Sequence, residues 1–277
     1  MAGKNINFLT ITLFTLCGAI ATAAYANNPN APSEEIEYVE PSFKNYAKTF
    51  WRLKKFKLDD DVAVDNFMLI TECDLTKEFH HNEFEWRGIR RATKKFLENN
   101  KKDFPIHYRF VQPIAIDQYD FERKGFNIAD EYALNVVNRF EMPSDKVYEK
   151  VCLDKKLIHE YPKSLALELT RPFTLNFFPY DEERGKELIK EKMGIYENLK
   201  TYQKGRETYL QLRQVYLSMK IRMFAYKPGD LKPGTEQSAA KILGVMQSIE
   251  IYNDKELTEL LYKKDFVKKH VSRKKDF

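Results

Sequence analysis

The densest grouping of chemically capable side chains is His80-His81-Asn82-Glu83, followed by Glu85. Imidazoles beside carboxylates are the ligand types that zinc and copper take. The spacing is poor for that purpose. A metalloprotease helix carries its two histidines one turn apart, so both reach one ion. Adjacent residues on a helix point about 100° apart. Glu83 and Glu85 also have another reading, as first-turn acids complementing a helix dipole. His80, His81, Glu83 and Glu85 thus form a candidate metal set that competes with an ordinary helix start.

Glu72-Cys73-Asp74 sets a thiol beside two acids. Like-charge repulsion there raises the thiol's pKa, the opposite of what a thiolate nucleophile needs. His107 and His159, the conceivable distant bases, both lie in ordinary settings. Asp117 with Asp120, or with Glu168 across a sheet, would suit glycosidase chemistry only at a separation that the fold must set. Gly-x-Ser-x-Gly elbows, phosphate-binding loops and dinucleotide fingerprints are absent, and 10 glycines in 277 residues leave little material for such loops. No catalytic residue and no cofactor is assigned, and the chain leans away from an enzyme.

The address is clearer than the chemistry. Lys4, the apolar run Phe8 to Ala24 and the small-x-small pattern Ala24-Tyr25-Ala26 read as a cleavable secretory signal over residues 1–26. The run is shorter than the roughly 20 residues that span a bilayer and lacks a basic stop-transfer cluster. No transmembrane segment is expected after cleavage. The destination is the periplasm or the exterior, and Cys17 is discarded with the signal.

Two cysteines then remain, Cys73 and Cys152. In an oxidising compartment they can close a disulfide, which for a loop of this length contributes roughly 4 kcal/mol in the chain-entropy model. Two buried free thiols are the alternative.

The chain carries a net charge of +5, and its last fifteen residues account for nearly all of it. Lys263, Lys264, Lys268, Lys269, Arg273, Lys274 and Lys275 stand there against Asp265 and Asp276. Such a tail can hold an anionic lipid headgroup, or simply be a solvated terminus. No nucleic-acid binding is expected, because no aromatic residues interleave the basic run.

These residues must be positioned by an α+β fold. Residues 27–40, rich in Asn, Pro, Ser and Glu, read as a flexible leader, and residues 41–277 as a single domain ending in the basic tail, with a possible sub-boundary near residue 104. Helical spacing runs over Ser42 to Lys57, over Asp59 to Phe79, and from a capping box at Asn82 and Glu85 to Asn99-Asn100. Alternation follows at Ile106, Tyr108, Phe110, Ile114 and Ile116, with a phase switch to Tyr119 and Phe121 that implies a bulge near Asp117. Further alternating runs cover Leu165 to Phe177, Val215 to Met223, and Leu243, Val245, Ile249 and Ile251. Asp181 caps a helix ending at Gly194, and a second capping box at Asn253 and Glu256 opens a helix through Leu257, Leu260 and Leu261. Pro228-Gly229 and Pro233-Gly234 mark a loop.

The similar stretches Gln112 to Asp117 and Arg171 to Asn176 each carry a strand proline, which suggests two edges flanking the sheet. The expected architecture is an N-terminal helical layer packed on an antiparallel β-sheet with short C-terminal helices. The expected function is that of an exported, non-catalytic binding protein of the cell envelope, whose partner is an unknown envelope protein or an anionic lipid headgroup. The alternatives are a secreted hydrolase whose acids or histidines converge only in the fold, and a peripheral protein held to anionic lipid by the basic tail.

Overall fold

Ser42 starts the first helix by accepting the Asn45 N–H on its hydroxyl at 3.2 Å, and α1 runs over Phe43–Arg52. The computed structural model describes residues 36–142, 165–227 and 240–267; the signal segment, Cys152, His159, the Pro-Gly loop and the tail beyond residue 267 lie outside them. The leader's last residues are already tied down. Val39 donates to the His107 carbonyl at 3.0 Å and accepts from Arg109 at 2.9 Å, forming a parallel bridge with Tyr108.

Where one helix was expected over Asp59 to Phe79, two occur: α2 (Asp61–Thr71) and α3 (Cys73–Phe79). Glu72, at φ −130° and ψ 66°, ends one and begins the other. The break turns Leu75 out to solvent and Thr76 inward. Helix α4 covers Glu83–Asn100, with the Asn82 side chain accepting the N–H groups of Phe84 and Glu85. Its buried stripe is Trp86, Thr93 and Leu97, while Phe96 is exposed.

Eight strands follow: β1 (His107–Asp120), β2 (Gly125–Ile128), β3 (Leu134–Met142), β4 (Leu165–Leu175), β5 (Phe177–Pro179), β6 (Gln214–Lys227), β7 (Ala240–Tyr252) and β8 (Leu260–Asp265). Helices α5 (Glu182–Met193) and α6 (Arg206–Leu212) lie between β5 and β6. The strands form one sheet in the order β3-β4-β7-β6-β1-β2-β5, with β8 beside the second half of β7. The class is α+β. The sheet is mixed, because β4 pairs β7 in parallel over Leu165–Leu169 and Ala240–Gly244.

The run expected as one strand from Leu165 to Phe177 breaks at Asn176 and changes partners. β4 pairs β3 and β7, whereas β5 pairs β2 at the far end of the order. Consecutive Cα atoms are about 3.8 Å apart, so one linking residue brings the two ends of the sheet together. The sheet is therefore curled, and the Ile128 N–H donates to the Asn176 carbonyl at 2.9 Å across the seam.

The inner face carries Tyr108, Ile116, Phe126, Leu167, Leu217 and Ile221, and these share one core with Tyr46, Phe50 and Trp51 of α1. Tyr46 stacks on Tyr108 with ring centres 5.4 Å apart. On β7 the buried hydrophobic residues are Ile242 and Met246, then Ile249 and Ile251. A bulge opposite Lys220 and Ile221 switches the phase. Leu243 and Val245, expected inside, thus lie on the other face.

The prolines do not mark two flanking edges. Both sit on interior strands at stretches that lack a second regular partner: Pro113 where β1 pairs β6 but not β2, and Pro172 in a register irregularity between β3 and β4. The helix expected from Asn253 is also absent. Asp254 spends its carboxylate on the N–H groups of Thr258 and Glu259, Leu257 turns left-handed at φ 59°, and Asn253 donates its N–H to the Glu259 carbonyl. The same side-chain capping chemistry closes a hairpin, and β8 fills the edge of β7 that β4 leaves open.

Closure has a tight point at Gly125. A Cβ there would fall on the Phe178 carbonyl oxygen and 2.8 Å from Pro179 Cα, whereas Gly88 in α4 has nothing within 4 Å. Gly125→Ala should lower stability by about 2–3 kcal/mol through overpacking. Gly88→Ala should raise it by about 0.5–1 kcal/mol through helix propensity. Urea denaturation of both variants checks this; equal effects would mean the β2–β5 seam is not tight.

Candidate functional site

A bulge between Ile116 and Tyr119 moves β1 off the β6 ladder and onto β2. Bulges leave backbone groups unpaired, and buried carbonyls need donors. Arg213, between α6 and β6, supplies them: its Nε donates to the Ile116 carbonyl at 3.0 Å and an Nη donates to the Asp117 carbonyl. The residue is only 5% exposed. Its guanidinium lies 5.1 Å from the Tyr209 ring centre and 5.9 Å from that of Phe126. Among the described residues no carboxylate forms an ion pair with it. Burial lowers its pKa from the usual arginine range.

Beyond the bulge the strand's side chains change face, and Tyr119 and Phe121 form one wall of a cleft of about 790 Å³. The opposite wall is α5, which presents Lys186, Ile189, Lys190 and Met193. Asp181 caps this helix by accepting the Arg184 N–H at 3.1 Å. Gly185 lets it lie close: a Cβ there would sit 3.2 Å from Tyr119 Cε2. Tyr119 is fixed by donating its hydroxyl to the Tyr180 carbonyl at 2.8 Å, and its ring meets Phe121 edge-on at 5.2 Å. Arg213 lies among the lining residues. Small-molecule sites are commonly mostly apolar clefts of about 300–1,000 Å³ with a few placed polar groups.

The acids considered for catalysis are engaged elsewhere. Asp117 pairs with Arg206 at 2.9 Å and accepts the Tyr209 hydroxyl at 3.4 Å, while Arg206 also binds Glu131 at 3.0 Å. Burial would raise the Asp117 carboxyl, but the Arg206 contacts outweigh it and hold it below its ordinary value. Asp120 accepts the N–H groups of Glu122 and Arg123 in the following turn. Glu168 stands opposite Arg139 in the β3–β4 register.

His80 and Glu83 line a second groove of about 500 Å³ between α2 and α4, where His80 packs edge-on against Trp86 at 5.0 Å; His81 and Glu85 do not line it. The rest of that groove is basic: Arg87, Arg90, Arg91 and Lys94, with Arg90 forked onto Asp65 and Asp61. Among the described residues no three metal-ligating side chains gather. Cys73 opens α3.

Of the basic tail, Lys268, Lys269, Arg273, Lys274 and Lys275 lie outside the described residues. Lys263 and Lys264 belong to strand β8. Lys263 pairs with Glu250 at 3.2 Å. Glu250 is itself buried, with 4% of its side chain exposed, and also takes Lys220 at 2.9 Å and the Tyr252 hydroxyl at 2.9 Å. No described helix is long and apolar enough to cross a membrane.

The α5 cleft escaped sequence reading because its walls are distant in the chain. Phe121 was visible as a phase switch, but nothing in Leu212-Arg213-Gln214 announces a buried cation. Residues 59–191 match one family model. It is described as "Domain of unknown function (DUF4852)". The match takes in both walls of the α5 cleft up to Glu191 and stops short of Met193 and Arg213. No curated protein and no solved structure matches the chain.

Burial would raise the Glu250 carboxyl, yet its bonds to Lys220, Tyr252 and Lys263 dominate and hold it below the usual range. A depressed carboxyl stabilises the fold above the unfolded value, and that stabilisation is lost as pH falls through the folded one. Glu250→Gln should cost about 2 kcal/mol near neutrality, since it leaves Lys220 without its buried counter-charge. The gap to the unaltered protein should shrink as pH is lowered from about 6 to about 3. Denaturant unfolding across that range measures it; a gap independent of pH would show that Glu250 is not the ionised partner.

Proposed function

We propose that this chain is an exported, non-catalytic binding protein of the cell envelope, and that the cleft between α5 and the end of β1 is its ligand site. The observation that carries the reading is the buried Arg213 guanidinium among the residues lining a cleft with apolar and charged walls, with no carboxylate in ion-pair contact among the described residues. Desolvating a cation that makes no direct ion pair is costly; the Asp117 carboxylate acts on Arg213 only through space while bonded to Arg206, so an anionic ligand can complete the pairing. The engagement of Asp117 and Asp120 in structural contacts favours binding over hydrolysis.

Export rests on the residue pattern of Met1 to Ala26. In that compartment we take Cys73 and Cys152 to be joined. The partner is a small molecule rather than an extended protein surface, since the cleft's walls are one helix face and one strand end.

Mass spectrometry of the protein purified from its own envelope, under native and then denaturing conditions, tests this. The expected mass begins at Asn27, rises by two hydrogens on reduction, and carries a retained small molecule under native conditions. A mass starting at Met1, or no change on reduction, would refute export or the disulfide. A bound metal with no other ligand would refute the cleft as the site.

A further inference from the structure

We propose that the α5 cleft binds a single-chain amphiphile with an anionic head, the head pairing with Arg213 and the apolar chain lying between Tyr119 and Phe121 on one side and Ile189 and Met193 on the other. This rests on the binding reading above and adds the ligand's chemistry.

The argument begins with what Arg213 lacks. A guanidinium has five N–H donors in a planar fork, and the Ile116 and Asp117 carbonyls take two of them. Those carbonyls are neutral, so they satisfy hydrogen bonds without cancelling the charge. The Tyr209 and Phe126 rings hold the group in place, so little entropy is lost when an anion meets it. A carboxylate or phosphate accepts from such a fork through two oxygens.

The other lining charges sharpen this. Lys186 is neutralised by Glu183 at 2.8 Å and Glu182 at 3.6 Å. Among the described residues Lys190 has no such partner. Glu197, the remaining lining acid, forms no ion pair among the described residues and opposes a second negative group on the ligand. The cleft thus suits one anionic head and disfavours a molecule with anionic groups at both ends.

The walls select the rest of the ligand. Phe121 is 69% exposed, a large apolar cost that an inserted chain relieves. With Tyr119, Ile189 and Met193 it makes the apolar part of the lining, and methionine adapts to chains of variable shape.

Calorimetric titration of the signal-free chain with dodecanoate, dodecyl phosphate and uncharged dodecanol tests the proposal. The two anions should bind about tenfold or more tightly than dodecanol, the difference expected of a charge-assisted bidentate contact. Between them, the carboxylate and phosphate arms tell a free fatty acid from a phosphorylated amphiphile. Phe121→Ala should weaken both anions several-fold while leaving the urea midpoint near that of the unaltered protein, because the ring is exposed. Arg213→Gln should erase the preference for anions; if that variant does not fold, Arg213→Lys, which keeps charge but not the fork, should reduce it.

Equal binding of dodecanoate and dodecanol would overturn the proposal while leaving an apolar binding cleft. So would tight anion binding that neither Phe121→Ala nor the Arg213 variants alter, since the anion would then sit elsewhere. Failure of all three probes would overturn it too, and the molecule retained under native mass spectrometry would separately decide the binding reading.

Discussion

One extra residue in β1, between Ile116 and Tyr119, redirects hydrogen bonds and side chains together. The displaced carbonyls of Ile116 and Asp117 draw Arg213 beneath the strand, which buries a cation that a regular ladder would have no use for. The same step turns Asp117 outward to Arg206 and turns Tyr119 and Phe121 toward α5. It also hands the strand from β6 to β2, so the sheet can keep curling until β5 meets β4. The ligand cleft and the seam of the sheet are thus two results of one irregularity.

Much of this was legible wherever a pattern is local. Ser42, Asn82 and Asp181 cap the helices that their residue types suggest, since a cap needs only an oxygen and the next turn's N–H groups. The phase switch after Ile116 showed as a change in which residues are apolar. Asp254 illustrates the limit. An Asx side chain accepting N–H groups suits a helix start and a hairpin turn equally, and the choice went to the strand because β7 had an unpaired edge. That is a tertiary fact, absent from any short window.

The candidate site was hidden for a related reason. Acids and histidines attract attention as reactive types, yet in the folded chain Asp117, Asp120 and Glu250 hold turns and strands together. His80 meets a tryptophan and a row of arginines rather than other ligands. The residue with the unusual environment is an arginine at a helix–strand junction, a type and position with no motif. Its peculiarity is burial without a direct ion pair, which appears only when Ile116, Asp117 and Tyr209 are brought around Arg213 in space.

The order of the strands also bears on what the matched segment can be. Residues 59–191 hold β1 through β5, but β6 and β7 stand between β1 and β4 in the sheet. His107 of β1 finds its partner at Arg222, far along the chain. Cut at residue 191, the segment would present the long flanks of β1 and β4 as two open edges, which invite pairing between molecules. Residues 59–191 of this chain thus leave the centre of the sheet unfilled by themselves. Pairings this distant in the chain raise the contact order of the fold, and high contact order goes with slow folding.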